Sequence, residues 1–195
     1  MGRKSLALER REEILDAFAR CILKYGLEGS TLERIAEEAG MKRSILRHYL
    51  GNRDELVESL IERISTSYRQ DSSHAFAGVD QTNLIPALLD YLLAVAPHDD
   101  ANERLITALL AAKELSPGAR ETLAAMFESW VDSISMTLHL ALPGAEAVGC
   151  RQAAYMLLCL SVGHDTMMQV NPNPAYQTLI RTSIEAILDQ FQRGL

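Results

Sequence analysis

Apolar residues recur along nearly the whole chain at steps of three and four, the period that gathers them on one face of a helix. No stretch sustains the alternation of a half-buried strand. The chain is therefore predicted to be all-α, with about nine helices. Ile14, Phe18, Cys21, Ile22 and Tyr25 make a first stripe, ended by Gly26 as a C-terminal cap. Ser30 or Thr31 can cap a short second helix carrying Leu32, Ile35, Ala36 and Ala39, which Gly40 stops. Ile45, Leu46, Tyr49 and Leu50 form the apolar side of a third helix, broken at Gly51. Asn52 then caps a long fourth helix, with Asp54 and Glu55 in its first turn and Leu56, Leu60, Ile61, Ile64 and Tyr68 on its inner face.

The polar stretch QDSSHAFAGVDQTN reads as a loop or bend and sets a domain boundary near 70–82. Beyond it, helices are predicted over about 82–96, 100–113, 117–141, 145–170 and 174–193. Ser116-Pro117 and Asn173-Pro174 each match a capping residue followed by proline at the first helical position. The implied organisation is a three-helix N-terminal domain over 1–51, a connecting helix and loop over 52–81, and a helical domain over 82–195.

Charge sharpens that division. The chain has a formal net charge of -7, yet residues 1–69 carry 13 Lys/Arg against 12 Asp/Glu and residues 70–195 carry 6 against 14. Residues 39–53 contain no carboxylate and hold Lys42, Arg43, Arg47 and Arg53 together with His48. Two short helices joined by a glycine turn and braced by a third form a helix-turn-helix, whose second helix is presented to the major groove. With Ile45, Leu46, Tyr49 and Leu50 facing inward, Arg43, Ser44, Arg47 and His48 face outward, bracketed by Lys42 and Arg53. Such a patch attracts phosphate, whereas a carboxylate within it would repel phosphate. Glu33, Glu37 and Glu38 before it, and Asp54 and Glu55 after it, are expected to lie where a duplex does not reach. Arg3, Lys4, Arg10 and Arg11 can add phosphate or minor-groove contacts, or form a solvated tail.

The run STLERIAEEAGMKRSILRHYLGNRDELVESLI, preceded by RREEILDAFARCILKYGLEG, resembles the DNA-binding domain of the TetR family of bacterial transcriptional regulators. The resemblance covers roughly residues 9–62. It implies a homodimeric repressor in which an N-terminal helix-turn-helix binds a palindromic operator in double-stranded DNA. A divergent helical domain then dimerises and binds a small-molecule effector that releases the DNA. Carried over, Thr31, Arg47, Tyr49 and Arg53 would touch backbone phosphates, while Arg43, Ser44 and His48 would meet base edges. The chain departs from the family pattern in having Lys42 for a small polar residue, Arg47 for a tyrosine and Leu50 for a phenylalanine. Lys42 weakens the cap of the third helix and adds a cation, and Arg47 can read guanine as well as grip phosphate.

In the C-terminal part, Ala153 to Val162 is apolar nearly all round, and Tyr176, Leu179, Ile180, Ile184, Ile187, Leu188 and Phe191 stripe the last helix. A helix apolar on every side must be covered on every side. Pairing these two helices with their two-fold mates does so and matches how the resembled family dimerises. The expected interface is Met156, Leu160, Tyr176, Ile180, Ile184, Ile187 and Phe191. Met126, Phe127, Trp130, Met156, His164 and Met167 are candidate effector contacts, although ordinary core packing explains each equally well. The acidic balance of this part favours a neutral or cationic, partly apolar effector.

Other classes find less support. The chain shows no nucleophile elbow, phosphate loop, dinucleotide fingerprint or paired zinc-binding histidines, so an all-α enzyme is the weaker alternative. A helical adaptor that has lost DNA binding is the other. His74, His98 and His139 are scattered, and no metal or cofactor is expected. Cys21, Cys150 and Cys159 lack ligand spacing and fit a reducing cytoplasm. The N-terminal residues contain no continuous apolar run of a secretory signal. Ala153–Val162 is too short to span a membrane, which takes about 20 residues.

Overall fold

A computed structural model of the chain describes the backbone of residues 2–93 and 101–193. The side chains of Arg3 and Lys4, the expected end of the helix over 82–96 and His98 lie outside the described residues. Among the described residues there are nine α-helices and no strand. They are α1 (Gly2–Gly29), α2 (Leu32–Glu38), α3 (Arg43–Leu50), α4 (Arg53–Phe76), α5 (Leu84–Leu92), α6 (Ala101–Leu110), α7 (Pro117–Ala141), α8 (Ala147–Val170) and α9 (Pro174–Arg193). A short 3-10 turn, Gln81–Asn83, leads into α5.

The chain divides into two compact units, Met1–Ser67 with Asp99–Met126, and Tyr68–His98 with Phe127–Leu195. Two of the three divisions, after Ser67 and after Met126, fall inside long helices, α4 and α7 respectively. In the first unit, Ile14, Phe18 and Ile22 of α1, Ile35 of α2, Leu46 of α3 and Leu56, Leu60 and Ile61 of α4 are buried. Leu105 and Leu109 of α6 join this core, and α6 packs against α1. The charge pattern had grouped α6 with the C-terminal part.

The second unit is built on Leu88 and Leu89 of α5, Val131, Ile134 and Leu138 of α7, Cys150, Ala154 and Leu157 of α8, and Ile184 and Leu188 of α9. Gly149 lets α9 come close: a Cβ there would lie 2.9 Å from the Phe191 ring.

One expected loop is helix instead. Residues 70–76 continue α4 to Phe76, and the helix stops just before Gly78, which holds a positive φ of 72°. Serine, histidine and glutamine tolerate a helix once it is running, and only glycine or proline breaks it outright.

Candidate DNA-binding face

The turn chemistry that positions α3 is local. α1 breaks at Gly26 (φ 72°), and the buried Ser30 hydroxyl donates to the Gly26 carbonyl at 2.7 Å. Thr31 caps α2, its Oγ1 accepting from the Arg34 N–H at 3.3 Å. Gly40 (φ 62°) then reverses the chain, with the Met41 N–H donating back to the Ala36 carbonyl at 2.8 Å. α3 starts at Arg43 with Lys42 in the cap position and no side-chain cap, as the lysine substitution implies.

Leu46 and Leu50 alone of the α3 residues are buried, and α3 packs on both α1 and α2. Tyr49 is half-buried, its ring edge-on to His48 at 5.2 Å. Ile45 was expected to face inward, but it is 40% exposed. Lys42, Arg43, Ser44, Arg47 and His48 are all exposed, so the structure brings these sequence-predicted residues onto one accessible ridge.

Three features were not legible beforehand. Arg43 forms an ion pair with Glu33 of α2, so one acid expected to lie clear of the ridge reaches onto it. Arg53 is half-buried and donates from Nη2 to the Leu27 carbonyl at 2.5 Å, which spends part of its guanidinium inside the domain. Arg11 of α1 donates from Nη1 to the Tyr49 carbonyl at a long 3.4 Å, facing the C-terminal end of α3. Lys42 and Arg47, by contrast, make no ion pair among the described residues. Glu38, the other α2 acid with a partner, pairs with Arg20 at 2.6 Å.

The effector candidates do not converge on one place. Met126 is buried within the first unit, while Met156 and Met167 are exposed, Met167 by 69%. Phe127 and Trp130 touch edge-on at 5.1 Å, and the Tyr68 ring lies 4.8 Å from that of Trp130. The Trp130 indole N–H is buried without a hydrogen-bond partner among the described residues. His164 donates from Nε2 to Gln177 Oε1 at 2.7 Å, and Gln177 donates onward to the Leu93 carbonyl. His164 and Met167 line an open apolar groove of about 640 Å³ between α8 and α9, with Leu160, Tyr176 and Leu179.

The expected dimer stripe splits in the same way. Ile184 is fully buried in its own unit, and Leu160, Ile180 and Phe191 pack against that core. Ile184 therefore has no surface to offer a partner, whereas Leu160, Ile180, Ile187 and Phe191 are only partly buried and Met156 and Tyr176 are exposed. The outward apolar face consists of Val148, Tyr155 (62% exposed), Met156 and Met167 of α8 with Tyr176 and Leu179 (59%) of α9. Burial pushes the Cys21 and Cys150 thiols up, whereas Cys159 is exposed beside Tyr155 and Met156. Among the described residues no three His, Cys, Asp or Glu side chains gather to hold a metal, and no helix is long and apolar enough to cross a membrane.

Two short helices meeting at a glycine turn, the second presenting cations outward and leucines inward, constitute a helix-turn-helix domain. Residues 14–60 match the family model of bacterial regulatory proteins, tetR family. The transcriptional repressor AcnR of Corynebacterium diphtheriae is 30% identical over 102 residues, which are 52% of this chain and 50% of AcnR. The transcriptional regulator PksA of Bacillus subtilis is 45% identical over 49 residues, 25% of this chain and 24% of PksA. The chain thus spans half or less of the length of these relatives, and their names are those of regulators, not enzymes. The reduced form of NemR from E. coli has the same fold, with a TM-score of 0.77 at 17% identity, covering 92% of this chain and 97% of that one. Residues 14–60 of the chain thus carry a helix-turn-helix of the tetR family, and the likeness to NemR extends the shared fold over the rest.

Proposed function

We propose that the chain is a transcriptional regulator, a repressor, that binds a palindromic operator as a homodimer and is released from it by a small-molecule effector. The observation that carries this reading is the exposed ridge of α3, where Lys42 and Arg47 stand without a carboxylate partner while Leu46 and Leu50 anchor the helix from behind. On a duplex, Lys42 and Arg47 neutralise phosphates and release counterions, and Ser44, His48 and Arg43 meet base edges. Ile45 supplies an apolar contact for a thymine methyl group. Thr31 and Tyr49 flank the ridge as phosphate donors, and Arg53 adds whatever donors its bond to Leu27 leaves free.

Dimerisation is supported by the outward apolar face of α8 and α9, which is larger than single scattered residues explain. A second copy covers it in a two-fold four-helix bundle, and two recognition helices about 34–36 Å apart then read one palindrome. For the effector, the Tyr68, Phe127 and Trp130 rings with the unpartnered indole N–H support a site for a partly apolar molecule that carries an acceptor atom. The acidic C-terminal part favours a neutral or cationic one. Release requires that molecule to bind one conformation of the dimer more tightly than the other.

The test is a gel-shift titration with the DNA upstream of its own coding sequence at two salt concentrations. The expected result is binding that weakens steeply as salt rises, with an Arg47→Ala variant about tenfold weaker and less salt-sensitive. Binding to no DNA, or binding indifferent to salt, overturns the reading.

A further inference from the structure

We propose that Glu33 is a specificity-determining residue of the DNA-binding face, acting through Arg43. The inference rests on the DNA-binding reading above and deepens it. Arg43 is the first residue of α3 and Glu33 lies in the first turn of α2, and their side chains form an ion pair across the turn between the two helices. Both side chains remain half or more exposed, so the pair sits on the surface offered to a duplex and not beneath it. Lys42 and Arg47, its neighbours on the ridge, have no such partner. The ridge therefore has two kinds of cation, two unpaired and one held by an acid.

That difference changes what each can do. An unpaired surface cation binds any phosphate, because the attraction is Coulombic and carries no sequence information. To bind a phosphate, Arg43 must release Glu33, and the freed carboxylate then stands beside the same negative backbone. A guanine edge makes a different demand. Its O6 and N7 accept two N–H groups in a plane, and a guanidinium has five donors in a rigid fork. With Nη1 turned to Glu33 Oε1, the other guanidinium donors remain for the base edge, so the pair survives and fixes the fork's direction. Glu33 thus penalises Arg43 on arbitrary DNA and leaves it competent on a guanine at one position of each half-site.

The test compares wild type, Glu33→Gln, Arg43→Ala and the double variant. Fluorescence anisotropy with a mixed-sequence duplex gives non-specific affinity and its salt slope. Sequencing of duplexes selected from a randomised library gives base preference. Glu33→Gln is expected to tighten mixed-sequence binding three- to tenfold and to steepen the salt slope by about one, since one more cation is free to displace a counterion. It should also flatten the guanine preference at one position per half-site. In the Arg43→Ala background the same change should alter affinity less than twofold, which a merely structural role for Glu33 would not produce. An unchanged base profile and salt slope in Glu33→Gln, or an equal effect with and without Arg43, overturns the role of Glu33. Failure of wild type to bind any duplex overturns the DNA-binding reading and this one with it.

Discussion

Arg53, at the start of α4, reaches back across the domain and donates from Nη2 to the Leu27 carbonyl just past the break in α1, at 2.5 Å. The bond ties the start of α4 to the segment before α2, and it adds a charge-assisted donor to a carbonyl of a buried residue that also accepts from the Ser30 N–H at 3.2 Å. Arg53→Ala is expected to destabilise the protein by about 1–2 kcal/mol, because a charge-assisted bond is lost while the Leu27 carbonyl keeps only its bond from the Ser30 N–H. Thermal melting without DNA checks this. A variant that melts with wild type yet binds DNA poorly would return Arg53 to the phosphate role that its position in the sequence suggested.

The junction between α3 and α4 is fixed by a reciprocal cap. Asn52 Oδ1 accepts from the N–H groups of Asp54 (2.8 Å) and Glu55 (3.1 Å), and Glu55 Oε2 accepts from the Asn52 N–H at 2.9 Å. Asn52→Ala should cost about 1 kcal/mol. Gly51→Ala should cost more, since its φ is 73° and a Cβ there would lie 1.4 Å from Glu55 Oε2, so the cap must open. Urea titrations of the two variants should rank them in that order.

Much of this was legible in the sequence because it is local. The caps at Thr31 and Asn52, the breaks at Gly26, Gly40 and Gly51, and the cationic outer face of α3 all follow from residue type and spacing. What was not legible depends on elements meeting. Ile45 and Leu46 are adjacent and equally apolar, and only the way α3 lies on α1 and α2 turns one outward and the other in. Glu33 and Arg43 are ten positions apart, with nothing in the pattern to say that the turn brings them together. The two stripes of α9 pose the same problem, since Leu179 and Ile184 are chemically alike and only the packing of α9 into the core of its unit buries the second. In α4 the polar composition of residues 70–76 points to a loop, but the helix runs on to Phe76 because no helix breaker precedes Gly78.

The outer face of α8 and α9 gives a prediction that separates interface from core. Leu179 is 59% exposed and Ile184 fully buried, one turn and a residue apart on the same helix. Leu179→Arg should leave helicity and melting of the subunit intact while shifting sedimentation from dimer to monomer, because two guanidinium groups would have to be buried against an apolar partner. Ile184→Ala should instead cost about 2–5 kcal/mol of folding stability by opening a cavity. If Leu179→Arg sediments like wild type, this face does not hold the proposed second copy.

Asp165 on α8 carries a pH dependence whose sign follows from its surroundings. Burial pushes its carboxyl up to about 6, against the charge of the adjacent His164, which acts to lower it. The folded state therefore binds a proton more readily than the unfolded chain, whose carboxyl titrates near 4. Stability from this group is fully present below about pH 4 and is lost as pH rises through about 6, where the ionised carboxylate sits poorly hydrated. Asp165→Asn keeps the shape without the charge. It should stabilise the protein at pH 7.5 by about 1 kcal/mol, a figure reduced to allow for the side chain's partial exposure, and by nothing measurable near pH 4. Paired thermal melts of the two proteins at both pH values check this, and a gain that is equal at the two would mean that the carboxylate's burial does not set it.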